Sequence, residues 1–285
     1  MIHRPIESFQ RYLLDRMVLR PSRHPIAFTP QKRIMLDKGR RQIECFVQSN
    51  FDERSTRPDL LILKFPGTAG RAERSSDFPM STLDHLRVSM WTWNPPGYGR
   101  SEGSATLGRI ANAAIEFWHQ VMEFYDQQPD RDSSLRRPLR ICLCGNSLGC
   151  VTALNVVANV QPDSDRTGIV LRNPPPLKPV IKRVARRYPL GAWFGPVTNH
   201  LCDSMDAMNT ARRCRLPAVF LQSELDSLVP VIYQNRLIRT YRGPKQVVLL
   251  EGLEHGGITT DSHQPRIKES LQWLWTMLEI ESDSN

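Results

Sequence analysis

Gly145-Asn146-Ser147-Leu148-Gly149 fits the pattern G-x-S-x-G, in which a serine stands at a sharp strand-to-helix turn. Its setting supports that reading. The apolar run Ile141-Cys142-Leu143-Cys144 precedes it, and the largely apolar stretch Leu148 to Val160 follows it. A strand that turns straight into a helix forces the serine backbone into a strained conformation. The positions two before and two after the serine leave no room for a side chain, which is why glycine stands there. The Ser147 hydroxyl would project at the strand's C-terminal end, above a helix N-terminus that favours developing negative charge. Ser147 is therefore the candidate nucleophile. A serine hydroxyl needs an adjacent general base, and His255 is the best placed of the seven histidines. It sits in Glu251-Gly252-Leu253-Glu254-His255-Gly256-Gly257, a glycine-flanked loop behind the last predicted strand. His263 is the second candidate. His24, His85, His119 and His200 read as surface or packing residues.

The elements that must hold these groups are legible as short apolar runs. Arg33 to Asp37 and Gln42 to Gln48 read as a hairpin about a Lys38-Gly39 turn. Leu60 to Phe65, Arg87 to Trp93, Leu139 to Cys144, Gly168 to Asn173, Ala218 to Gln222 and Gln246 to Glu251 read as buried strands. Helical periodicity marks Ala105 to Gln127, Leu148 to Val160 and Gln264 to Ile280. An opening helix, Ile6 to Val18, would turn Ile6, Phe9, Leu13 and Met17 to the body of the protein. Strands alternating with helices imply an α/β fold with a mostly parallel sheet covered on both faces. Gln128 to Arg137 is a polar, proline-containing connection. Pro174 to Leu216 is longer than a crossover needs and reads as a lid-like excursion. On this division, residues 1–32 form a helical extension and residues 33–285 the main domain.

From Leu60 onward the chain resembles an α/β-hydrolase. The string Asn94-Pro95-Pro96-Gly97-Tyr98-Gly99-Arg100-Ser101-Glu102-Gly103 is similar to the loop after an early strand in capless and small-lidded members. The resemblance implies that this loop is structural, and that about eight strands run from Arg33 to the closing helix. Leu221-Gln222-Ser223-Glu224-Leu225-Asp226-Ser227-Leu228-Val229-Pro230 resembles the family's acid loop and selects Asp226, with Glu224 as rival. An acid at the end of the preceding strand would fall in Leu171-Arg172-Asn173-Pro174, which has no carboxylate. The order Ser, Asp, His is the one this fold uses. An oxyanion hole needs two main-chain N–H groups. The resemblance assigns them to Leu148 and to Thr68, in Phe65-Pro66-Gly67-Thr68-Ala69-Gly70. Relatives often carry His-Gly where this chain has Pro66-Gly67.

Composition narrows the class. With 40% hydrophobic and 24% charged residues, the 285-residue chain has the make-up of an ordinary globular protein. No apolar run approaches the roughly 18 to 20 residues of a membrane span, and Met1 to Arg20 does not read as a signal peptide. A cytoplasmic location with six free cysteines is the expectation. The net charge of +9 is spread along the chain without a nucleic-acid-binding signature. Lys178, Lys182, Arg183, Arg186 and Arg187, with Val180, Ile181 and Val184 between them, could meet an anionic membrane or an acidic substrate. Trp193 and Phe194 are candidates for an acyl pocket. No metal or cofactor is implied. The expected activity is hydrolysis of a carboxylic ester or thioester carrying an acyl or lipid-like group. A peptidase or amidase of the same fold, and a non-catalytic binding protein that kept the fold, are the alternatives.

Overall fold

The structure is a computed structural model that describes residues 3–29, 31–37, 41–52, 57–127, 139–186 and 196–280. Eight strands form one sheet in the order β1-β2-β4-β3-β5-β6-β7-β8. They are β1 (Lys32–Asp37), β2 (Gln42–Ser49), β3 (Leu60–Phe65), β4 (Val88–Trp93), β5 (Arg140–Asn146), β6 (Thr167–Arg172), β7 (Ala218–Ser223) and β8 (Lys245–Leu250). β1 and β2 pair antiparallel, as do β2 and β4. All other neighbours are parallel. Every strand read from the sequence is present within a residue or two. The Lys38-Gly39 turn and the Gln128 to Arg137 connection lie outside the described residues.

Alternation along the strands builds two apolar layers. Leu61, Leu63, Trp91, Leu143, Leu171 and Phe220 face one layer, against α2 (Leu107–Asp126) and α3 (Leu148–Val160). Leu60, Ile62, Met90, Cys142, Val170 and Leu221 face the other, against α7 (Gln264–Met277). Trp93 stacks on Phe117 of α2 with ring centroids 5.5 Å apart. All six cysteines are free thiols. Cys142 and Cys144 point to the same face of β5, with sulfurs 3.7 Å apart.

The strand order reverses beside β3. The chain leaves β3 for β4 on one side, then returns past β3 to lay β5 on the other. Connections leaving β3 and β5 therefore diverge, and a crevice opens at the C-terminal ends of these strands. Both the Gly67 loop and Ser147 stand at that crevice.

The opening helix α1 (His3–Val18) packs on the body with Leu13 and Met17 of the expected stripe half-buried against the core, but the stripe is shifted at Phe9. Leu14 is its buried anchor and Phe9 is exposed. The Ile6 side chain lies outside the described residues. The orientation is set by polar ties: Asp15 accepts from the Leu107 N–H at the start of α2 at 2.8 Å, and the Val18 carbonyl accepts from the Thr68 hydroxyl at 2.9 Å.

In the 174–216 stretch, α4 (Leu177–Ala185) buries Leu177, Val180, Ile181 and Ala185. Lys178 is ion-paired with Asp206 at 2.7 Å, while Lys182 and Arg186 face solvent. Asp206 also caps α5 (Ala207–Ala211). Arg187, Trp193 and Phe194 lie outside the described residues. The sequence reading missed α6 (Val231–Thr240). Its Gln234-Asn235-Arg236 centre is polar, yet Gln234 is wholly buried.

Candidate active site

Ser147 joins β5 to α3 with φ 52° and ψ −118°, a left-handed backbone that an L-residue adopts only under constraint. Its flanking glycines are sterically required. A Cβ on Gly145 would lie 2.6 Å from Cys150 Cα, and one on Gly149 would lie 1.9 Å from the Phe65 carbonyl oxygen. Both obstacles are backbone and cannot swing aside. Gly149→Ala is therefore expected to destabilise in the exceptional range above about 4 kcal/mol. Urea unfolding checks this, and a wild-type midpoint would mean that the β3 end can retreat.

The His255 loop returns over the turn. His255 Nε2 lies 2.9 Å from Ser147 Oγ, and Nδ1 lies 2.7 Å from Asp226 Oδ2. With Nδ1–H donating to the carboxylate, Nε2 is left to accept the serine proton. The Asp226 carboxylate is fully buried and the His255 ring is 23% exposed. Burying a carboxylate requires hydrogen bonds. Oδ1 accepts from the N–H groups of Leu228 at 3.0 Å and Val229 at 2.7 Å, and Oδ2 also accepts from Gln234 at 3.4 Å.

The rivals have other partners. Glu224, a solvent-exposed loop carboxylate, accepts from the Gly252 N–H at 2.8 Å, so it holds the turn after β8. His263 bonds Thr260 and accepts no serine proton, its Nε2 lying 2.9 Å from the Glu251 carbonyl. It belongs to the start of α7.

Two residues missed by sequence reasoning hold the histidine loop. Asn173, at φ 52°, donates to the His255 carbonyl at 3.0 Å and to Ser223 Oγ at 3.0 Å. The Arg172 guanidinium donates to the Gly257 carbonyl. Burial pulls its pKa down, and the negative charge of Asp226 opposes that. The only advance signal was an asparagine at a strand end before Pro174-Pro175-Pro176, since asparagine tolerates left-handed backbone.

Leu148 is the first residue of α3, so its N–H has no acceptor within the helix. On the facing side, Gly67 to Gly70 form a turn closed by a 2.9 Å bond from Gly70 N–H to the Gly67 carbonyl. A Cβ on Gly67 would come within 3.5 Å of Ser147 Cβ, so this loop passes directly beside the serine. The Thr68 hydroxyl points away, to Val18, leaving only its main chain for the site.

The early-strand loop now has a visible role. Tyr98 is buried, and its hydroxyl donates to the Thr68 carbonyl at 2.7 Å while accepting from the Arg20 N–H at 3.2 Å. Burial pushes that hydroxyl up to about 12, so it stays a donor at working pH. Glu44, 2% exposed, accepts from Asn94 and the Arg100 N–H at 2.8 and 2.7 Å, which anchors the loop from below. Tyr98→Phe leaves the half-buried Thr68 carbonyl and the Arg20 N–H without this partner and is expected to cost about 1 kcal/mol, measured by denaturant unfolding. No change would mean that water replaces the hydroxyl.

Solved structures share this fold over nearly the whole chain. An alpha-beta hydrolase from Vibrio vulnificus superposes with a TM-score of 0.65 at 13% identity, covering 95% of this chain and 94% of that one. The chain has the α/β-hydrolase fold. Est1E of Butyrivibrio proteoclasticus, solved with ferulic acid, superposes on this α/β-hydrolase fold with a TM-score of 0.60 at 14% identity. It covers 87% of this chain and 100% of that one. The Pyrococcus furiosus esterase Pf2001 gives 0.60 at 13% identity, over 92% and 98%. No family model matches the sequence. Uncharacterized proteins of two Mycobacterium tuberculosis strains are 25% identical over 194 residues, 68% of this chain. The match spans 62% of those relatives' length.

Proposed function

We propose that this protein is a serine hydrolase that cleaves a carboxylic ester or thioester through an acyl-enzyme intermediate. The observation that carries the reading is the His255 ring, hydrogen-bonded at once to Ser147 Oγ and to Asp226. In the proposed mechanism His255 Nε2 takes the Ser147 proton as Oγ attacks the acyl carbon. The carbonyl oxygen becomes an oxyanion, held by the N–H groups of Leu148 and Thr68. Collapse of the tetrahedral species expels the alcohol or thiol, which leaves with the proton from His255. Water then attacks the acyl-enzyme by the same route, releasing the acid and free Ser147. Asp226 holds the tautomer and stabilises the imidazolium throughout.

Esterase names among the structural neighbours are in keeping with this chemistry, and a complete set of three residues favours it over a binding protein that has lost catalysis. The test is labelling of the protein with a fluorophosphonate and mapping of the labelled peptide by mass spectrometry. Labelling at Ser147, with turnover in a chain-length series of esters and thioesters, is the expected result. Folded protein that neither labels nor turns over any ester would overturn the proposal. Amide substrates in the same series separate the peptidase alternative.

A further inference from the structure

A cavity of about 320 Å³ lies beside the serine on the α7 side of the sheet. Its floor is made by alternate residues near the C-terminal ends of β4, β3, β5, β6 and β7, and its roof by the segment after β3. Gly67 and Asn146 line it. The first passes beside Ser147, and the second precedes it in the chain. The cavity therefore adjoins the site without being the acyl pocket that the 174–216 excursion was expected to cover.

Its lining is one-sided in charge. Lys64, Arg71, Arg74 and Arg172 contribute to it, and no Asp or Glu among the described residues does. Arg71 is neutralised by its ion pair with Glu73. The other three are not matched by a carboxylate in contact. Lys64 donates to the carbonyls of Ser76 at 2.6 Å and Phe78 at 2.8 Å and to Ser76 Oγ at 3.5 Å, none of them charged, and exposed Asp77 acts on it only through space. The exposed Arg74 side chain makes no hydrogen bond or ion pair among the described residues. Arg172 spends one N–H on Gly257, while its buried Nε has no partner among the described residues.

An ammonium on the inward face of a central strand is costly, since burial lowers Lys64 to about 8. An apolar residue would fill that place more cheaply if packing were its purpose. The buried, unpartnered Nε–H of Arg172, which lines the same cavity, is a second cost of the same kind. One bound anion would relieve both.

We propose that this cavity binds an anionic group, a carboxylate or phosphate, carried on the substrate. The assignment to substrate rests on the ester-hydrolase reading. It makes the preferred ester an acidic one, with its charged end reaching past Gly67 and Asn146.

Two measurements separate the site from the reading it rests on. The first uses Ser147→Ala protein and follows the thermal midpoint as inorganic phosphate or succinate replaces chloride at constant ionic strength. A saturable rise is expected, and Lys64→Met with Arg74→Gln in that background should abolish it. The second compares kcat/KM for nitrophenyl hemisuccinate and nitrophenyl butyrate. A preference for the acidic ester of about tenfold is expected, the size of one charge-assisted hydrogen bond, and the same two substitutions should erase the ratio. A purely structural loss would lower both esters in parallel and overturn the proposal. Anion binding without any preference for the acidic ester would overturn the substrate assignment. No anion-dependent rise would overturn the site. Anion binding with no ester turned over would support the cavity and sink the hydrolase reading alone.

Discussion

Ser147→Ala is expected to lower kcat on an ester by about a millionfold and to abolish fluorophosphonate labelling, with the fold intact. The substitution removes the oxygen hydrogen-bonded to His255 Nε2, and among the described residues no other hydroxyl bonds that nitrogen. Cys150, close by, is no substitute. Its thiol donates to the carbonyls of Gly145 and Arg172, and burial pushes its pKa well above the ordinary thiol value, so the thiolate is not formed. Alanine keeps the left-handed backbone strain of position 147 because it keeps Cβ. Ser147→Gly would release it, and should be equally inactive but more stable by about 1 kcal/mol. Urea unfolding of the two variants reads the strain directly. Equal stabilities would mean that the turn is not strained, and residual turnover in either would require another nucleophile.

Asp226→Asn is expected to lower kcat by about 10⁴-fold while labelling slows in proportion. The hydrogen bonds around the carboxylate explain why a nearly isosteric change is so harmful. Oδ1 accepts from two main-chain N–H groups, those of Leu228 and Val229. An asparagine must therefore put its one carbonyl oxygen there, which leaves its NH₂ facing His255 Nδ1. The imidazole then accepts at Nδ1 and carries its proton at Nε2, where it can no longer take the proton of Ser147. The same NH₂ would also confront the Gln234 amide that now donates to Oδ2 at 3.4 Å. Single-turnover acylation measured against the wild type checks the prediction. A loss under tenfold would mean that His255 works without its carboxylate, and that the role assigned to Asp226 is wrong. Glu224→Gln serves as comparison, since that carboxylate holds Gly252 and is not in contact with the imidazole.

Legibility varied with the range of the interaction. The strands were readable because each is a short run that must be apolar on both faces of a covered parallel sheet. Leu60–Phe65 and Val88–Trp93 are nearly wholly buried, and runs of that kind need no partner to be recognised. Helix α6 escaped notice for the opposite reason. Its central Gln234 is polar by type and buried only because Asp226 and the Val229 carbonyl need its amide. In α1 the apolar spacing favours Phe9, but the ties from Asp15 and Val18 to the body turn Leu14 inward.

By itself the sequence determined the position of Ser147. A strand, a tight turn and a helix are neighbours along the chain, and steric exclusion at Gly145 and Gly149 acts over a few residues. It also narrowed the candidate base and the candidate acid to one loop each. Tertiary structure decided the rest. Asp226 and not Glu224 meets the imidazole, Asn173 holds the carbonyl of His255, and Tyr98 carries the early-strand loop to Thr68. The cationic cavity exists only where five strand ends and one loop converge. These contacts join residues tens of positions apart, 108 in the case of His255 and Ser147. No local pattern encodes them, because their geometry is set by the sheet order and by the reversal beside β3.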